Sequence, residues 1–172
     1  MPARHFAQLV TYKGGMTSTA DFEEWYRREH GRLVASMLVI CGNLGDAAEA
    51  TDEAFARALQ RWDSVGCMRS PTGWAYRVAV NVVRRRGRRR LIELRVHRQE
   101  PDRTWTEGPA GEAWLLVRDL PVRQRTAVVL RHVGQLTESE IADAMGVGRS
   151  TVSSTLRSAH ASLARTIAVD PG

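Results

Sequence analysis

"LTESEIADAMGVGRSTVSSTLRSAHASLA" runs from Leu136 to Ala164. Thr137 and Glu140 have the S/T-x-x-E spacing, in which a hydroxyl and a carboxylate satisfy orphan backbone N–H groups at a helix start. A short helix to Ala144 is predicted. Gly146 lies in a turn, and a longer helix then carries Val152, Leu156, Ala159 and Leu163 on one face. A short helix, a glycine turn and a second helix describe a helix-turn-helix. Such a unit lays its second helix in the major groove, with N-terminal side chains at the base edges. The candidates for that contact are Arg149, Ser150, Thr151, Ser153, Ser154 and Arg157.

Upstream, "WAYRVAVNVVRRRGRRR" from Trp74 to Arg90 is a second amphipathic segment. Trp74, Ala75, Val78, Ala79 and Val82 form a core-facing stripe. Arg77, Asn81, Arg84 and Arg88 fall on the opposite face. Asparagine is a poor interior helix residue, because its amide competes for nearby backbone groups. On an exposed face among arginines it suits a base edge, while arginine contacts phosphate or stacks on bases. Between Arg84 and Arg103 nine arginines stand against Glu93, Glu100 and Asp102, while the other 16 basic and 16 acidic residues cancel. The net charge of +6 is therefore one local patch, of the kind that attracts nucleic acid.

The remaining pattern is helical. Phe22, Tyr26, Leu33, Met37 and Ile40 keep a helical spacing over 21–41, and "CGNLGD" ends it with two glycines. A helix over about 47–62 carries Ala47, Ala50, Ala54, Ala58 and Trp62 on one face. "DSVGCMR" reads as a loop, and Ser70-Pro71 opens the next helix as N-cap and first helical residue. "QEPDRTWTEGPAG", residues 99–111, reads as a flexible linker. Two short helices follow, over 112–120 and 121–133. No strand-like alternation persists. The expected fold is all-α, with a disordered extension over 1–18, one small helical domain over 19–98, the linker, and a second small helical domain over 112–168. Met16 is a second candidate start, because patterned sequence begins just after it.

No apolar run approaches the ~20 residues that cross a bilayer, and the N-terminus lacks a signal-like apolar core. A soluble, cytoplasmic protein with no membrane contact is expected. Cys41 and Cys67 read as reduced, partly buried thiols. Neither a nucleophile–base pair, a phosphate loop nor a metal-ligand cluster is legible, and the five histidines are scattered at 5, 30, 97, 132 and 160. Neither catalysis, a metal nor a cofactor is expected.

Three stretches, "DAAEATDEAFARALQRW" (46–62), "SPTGWAYRVAVNVVRRR" (70–86) and "VRDLPVRQRTAVVLRHVGQLTESEIADAMGVGRSTVSSTLRSA" (117–159), resemble the extracytoplasmic-function sigma factors of bacteria. The resemblance covers about residues 20–165, in the family's order. It implies sigma region 2 over 19–98, sigma region 4 with the helix-turn-helix over 112–168, and a linker running towards the RNA exit path. The implied partners are core RNA polymerase and promoter DNA, with an anti-sigma factor, common in the family, as a further candidate. The helix around 46–62 would dock on the polymerase coiled coil through Asp52, Glu53, Phe55 and Arg57. The loop over 63–70 would capture a flipped −10 base. Tyr76, Arg77, Asn81, Arg84 and Arg88 would line the separated −10 strand, and the helix-turn-helix would read the −35 duplex. Ser153 and Thr155 depart from the family's frequent Lys and Arg, and Ala50 and Thr51 from its larger apolar residues. Trp62 and Trp74 are expected in the core. The alternatives are a stand-alone helix-turn-helix regulator, which leaves the Asn81 face unused, and a small nucleic-acid enzyme, which should show clustered ligands.

Overall fold

Four of the helices begin where a side chain satisfies a first-turn N–H group. The Ser18 hydroxyl accepts from the Asp21 N–H at 3.2 Å, and the Asp21 carboxylate accepts from the Ser18 N–H at 2.7 Å. This starts α1 (Thr19–Cys41), which stops at Gly42 in the left-handed conformation with φ 68°. Asn43 then caps α2 (Leu44–Gln60), accepting from the Asp46 N–H at 2.8 Å. A single turn, α3 (Trp62–Val65), leads to α4 (Pro71–Val96), where the Ser70 hydroxyl accepts from the Gly73 N–H at 3.0 Å. The second half holds α5 (Pro109–Val117), α6 (Val122–His132), α7 (Glu138–Met145) and α8 (Arg149–Val169). The expected Thr137–Glu140 capping box opens α7, and Gly146 closes it with φ 66°. The computed structural model describes residues 18–96 and 109–169; among them there are eight helices and no strand.

Three boundaries differ from the pattern reading. Trp62 belongs to α3, not to the end of α2, and the segment read as a loop from Asp63 starts inside that turn. The helix expected from Glu112 starts at Pro109, whose fixed φ suits a first turn. Of the expected extension over 1–18 and linker over 99–111, residues 1–17 and 99–108 lie outside the described residues, while Ser18 caps α1 and residues 109–111 open α5.

The N-terminal core forms around α2. Ala47, Ala50, Ala54 and Ala58 are fully buried. Their small side chains let α2 lie close to both α1 and α4, the helices it contacts most. Thr51 is buried with them and returns its hydroxyl to the Ala47 carbonyl at 2.9 Å. An aromatic cluster fills one end. Trp25 sits 5.0 Å from both Phe55 and Trp62, and Phe22 meets Trp62 edge-on at 5.2 Å. Such pairs contribute beyond their buried area. Trp62 is thus a core residue, as expected, and Trp74 is partly buried against the same core. Cys41 is half-buried, donates to the Asn43 carbonyl at 3.3 Å, and is pushed up to about 11 by burial, whereas Cys67 is exposed. The second core joins α6, α7 and α8 through Leu130, Ile141, Val152 and Ala159.

The two units do not stand apart. α4 carries a second buried stripe, Tyr76, Val80 and Val83, beside the expected one. That stripe accounts for α7 lying on α4 while α5 and α6 lie on α1, so that buried side chains form one continuous cluster. Tyr76 is 1% exposed, and its hydroxyl pairs with that of Ser36 at 3.1 Å. A Cβ on Gly134, in the turn after α6, would sit 3.0 Å from the Tyr76 ring. The Trp114 ring of α5 lies over Gly42, with the Arg125 guanidinium 4.9 Å from its centre. Arg32 joins Glu29 of α1 at 3.1 Å to the Gln135 side chain at 3.2 Å.

Gly42→Ala should weaken the fold twice. A Cβ in the left-handed conformation costs about 1–2 kcal/mol by itself, and at this site it would lie 2.6 Å from Trp114. Urea unfolding should give a larger loss for Gly42→Ala than for Gly31→Ala, where a Cβ meets nothing within 4 Å.

Acid should loosen the packing of α6 on α8. The Nε2 atoms of His132 and His160 face each other at 3.1 Å. Burial first, then the charges of His160 and Arg131, push His132 below its usual 6.5. A lowered folded value means that its contribution is fully present above the unfolded value and is lost as pH falls through the folded one. The thermal midpoint should therefore drop as pH falls below about 6.5, the ordinary imidazole value, and His160→Gln should reduce the drop.

Candidate nucleic-acid interface

Two surfaces were expected to touch nucleic acid, and the structure sorts their residues. On α4, Arg77, Asn81 and Arg88 are exposed on the side away from α2. No carboxylate among the described side chains pairs with Arg77 or Arg88. Arg84 is exposed as well, but its guanidinium donates to the Met145 carbonyl at 3.1 Å, at the end of α7. Tyr76 does not belong with them. It points into the core, and burial pushes its phenol up to about 12 despite the Ser36 hydrogen bond. The pattern reading missed this because Tyr76 lies next to Arg77 in sequence but about 100° away around the helix.

The arginine run divides by face. Arg85 reaches Glu53 at 3.3 Å, and Arg86 reaches Asp46 at 3.2 Å and also Glu49. These two tie α4 to α2 and are taken up by the fold. Arg88 and Arg89 remain exposed beyond them. A stretch that reads as uniform charge thus contains both structural braces and open cations.

On α2, Asp52 and Arg57 are exposed, and Glu53 lies between Arg57 and Arg85. Phe55 is a correction. It is 1% exposed and packs edge-on against Trp25 and Tyr26, so no partner reaches it in this fold. Ala50 and Thr51, unusual by family comparison, face the core too.

At the helix-turn-helix, Gly146 turns the chain between α7 and α8. Arg149, Ser150, Ser154 and Arg157 are exposed and Thr151 is half-buried. Val152, Leu156 and Ala159 bury the opposite face of α8. Ser153 is half-buried, and its hydroxyl donates to Glu138 at 2.6 Å, with Arg149 3.7 Å from the same carboxylate. Glu138 therefore holds the start of α8 onto α7, and Ser153 is turned inward.

Between the two surfaces runs a groove of about 910 Å³, which pattern reading did not foresee. Arg69, Trp74 and Arg77 line one wall, and Glu138, Glu140 and Asp143 of α7 line the other. Glu140 accepts a hydrogen bond from the Ser70 hydroxyl, and from the Thr137 N–H at 2.8 Å and hydroxyl at 2.7 Å. Burial raises its carboxyl, but these hydrogen bonds outweigh that and hold it below the usual carboxylate range. Among the described residues no helix is long and apolar enough to cross a membrane.

The family model "Sigma-70 region 2" matches residues 25–91, and "Sigma-70, region 4" matches residues 111–163. An RNA polymerase sigma-E factor of Streptomyces avermitilis is 33% identical over 150 residues, covering 84% of this chain and 82% of that protein. Its counterpart in Streptomyces coelicolor is 32% identical, covering 87% and 86%. The ECF RNA polymerase sigma factor SigW of Bacillus subtilis is 26% identical, covering 81% and 83%. With both region matches and these relatives spanning most of its length, the chain belongs to the extracytoplasmic-function sigma factors, the promoter-specificity subunits of bacterial RNA polymerase.

Proposed function

We propose that this chain directs core RNA polymerase to its promoters in the cytoplasm with two separate reading surfaces. Residues 19–98 act as region 2 and the helices from α5 onward as region 4, with the segment between them as the linker. On α4, Asn81 takes a base edge of the separated −10 strand, and Arg77, Arg84 and Arg88 hold its phosphates. On α8, Arg149, Ser150, Thr151, Ser154 and Arg157 meet the −35 duplex. Asp52, Glu53 and Arg57 on α2 face the polymerase, and an anti-sigma protein is a further partner of the same reading. Neither surface performs chemistry; both position. The observation that carries this reading is the exposed row Arg77, Asn81, Arg88 on a helix whose apolar residues Ala75, Val78, Ala79, Val82 and Val83 are buried. A stand-alone repressor has no use for that row.

Transcription in vitro on a pool of upstream regions tests this reading: core polymerase with this chain should select a small set of promoters. At such a promoter, Asn81→Ala should weaken strand opening by about 5- to 150-fold, the worth of a good base contact. Its stability should change by no more than about 0.5 kcal/mol, as is usual at exposed sites. Permanganate footprinting reads the opening, and unchanged melting removes Asn81 from the site. Tyr76→Phe should do the reverse, costing about 1 kcal/mol of stability through its lost hydrogen bond with opening intact. Arg157→Ala should weaken upstream duplex contacts alone. Tight sequence-specific duplex binding by the chain without core, and no transcription with it, would leave the repressor instead.

A further inference from the structure

Arg149 and Arg157 both lie exposed on α8, but they are held differently. Arg157 is paired with no carboxylate among the described side chains. Arg149, the first residue of α8, has its Nε 3.7 Å from an oxygen of Glu138, the first residue of α7. The same oxygen accepts from the Ser153 hydroxyl at 2.6 Å. Ser153 stands four residues beyond Arg149, about one turn along the helix, and its hydroxyl also lies 3.3 Å from the Arg149 carbonyl. Carboxylate, hydroxyl and guanidinium thus form one cluster across the turn of the helix-turn-helix.

This cluster adds little to stability. The Arg149 side chain is 77% exposed, and exposed ion pairs are weak. Its effect is on direction. A guanidinium carries its N–H donors in a rigid planar fork. With the Nε edge turned to Glu138, both Nη groups are left for another acceptor. Bidentate pairing with a base edge needs two donors held in one plane. An arginine free on its flexible stem falls as readily on phosphate, which carries no sequence information.

We propose that Glu138 is a positioning residue for −35 reading. It turns Arg149 from a general phosphate contact into the reader of one base pair, and Ser153 holds the carboxylate in place. The inference rests on the assignment of α8 to the −35 duplex made above. It also gives Ser153 a task. Where the family frequently has Lys or Arg, this chain gives up a cation and uses a hydroxyl that orients a neighbour. Because Arg157 has no such partner, the effect of Glu138 is confined to the position that Arg149 reads.

The test uses core polymerase with the full chain, on a promoter that this pair selects. Each base pair of the −35 element is changed in turn, and competition binding reads the preference at each position. Comparing two duplexes cancels charge effects common to both. Arg149→Ala should erase the preference at one base pair, about 5- to 150-fold. Glu138→Gln removes the charge but keeps an acceptor for Ser153. It should lower the preference at that same base pair by about tenfold, within that range, and leave the other positions unchanged. Ser153→Ala should lower it there too, by setting the carboxylate loose. In an Arg149→Ala chain, Glu138→Gln should have no further effect on the preference, the non-additivity of groups that act as a unit. Circular dichroism confirms that the variants are folded. A merely structural Glu138 would lower the preference at every position, or add its loss to that of Arg149→Ala. Either result overturns the inference, as does an unchanged preference in Glu138→Gln, or one untouched by Arg149→Ala while Arg157→Ala weakens the upstream contact. Failure of the α8 assignment looks different and takes the inference with it: every −35 preference and upstream contact persists in both Arg149→Ala and Arg157→Ala, or core with this chain selects no promoter.

Discussion

α4 is buried on two sides, and the arrangement of the molecule depends on that. One stripe faces α1 and α2, and the other, with Tyr76 at its head, faces region 4. Tyr76 is a large side chain with one polar atom, and burying it requires a partner for the hydroxyl. Ser36 of α1 provides that partner, and the bare backbone of Gly134 leaves room for the ring. A single residue thereby joins three parts of the chain: α1, α4 and the turn after α6. Only the narrow remaining face of α4, with Arg77, Asn81 and Arg88, is left for other work.

Charge is distributed by the same geometry. Arginines that point towards α2 meet acids and brace the fold, as Arg85 does with Glu53 and Arg86 with Asp46. Exposed pairs of this kind contribute little individually, so their value here is in orientation: they hold α4 against α2 and keep its outer face in register. Arginines one position further round the helix stay open. In region 4, Glu138 and Glu140 sit at the start of α7, where the helix dipole favours them, and Arg149 and Arg157 sit at the start of α8 and along its exposed face.

The two readers are built on different physical plans. The α4 surface is a rail on a long helix, suited to a flexible strand whose phosphates recur at intervals. The α8 surface is the start of a helix carried by a compact three-helix unit, suited to entering a groove. In the packed chain Arg77, Asn81 and Arg88 of the first, and Arg149, Ser150, Ser154 and Arg157 of the second, are exposed. Hydrogen bonds across the seam, such as Arg32 with Gln135 and Ser70 with Glu140, join side chains that are solvated when the units part.

The helices themselves were legible in the amino-acid order. Local capping at Ser70 and Thr137, the glycine turn at Gly146 and the apolar periodicity of α4 and α8 depend on residues within a few positions of one another. So did the helix-turn-helix and the exposed position of Asn81. Which arginines are open, and whether Tyr76 and Phe55 face a partner or the core, was settled only by tertiary packing. A helix shows its own periodicity but not how many neighbours it will have. Tyr76 became interior because region 4 covers a second side of α4, and Phe55 because Trp25 and Tyr26 of α1 close over it. The pairing of Glu140 with Ser70 spans 70 residues, and no local pattern records it. Contacts at that separation are fixed by how whole helices stack, which is decided by the sum of buried surfaces and not by any one spacing.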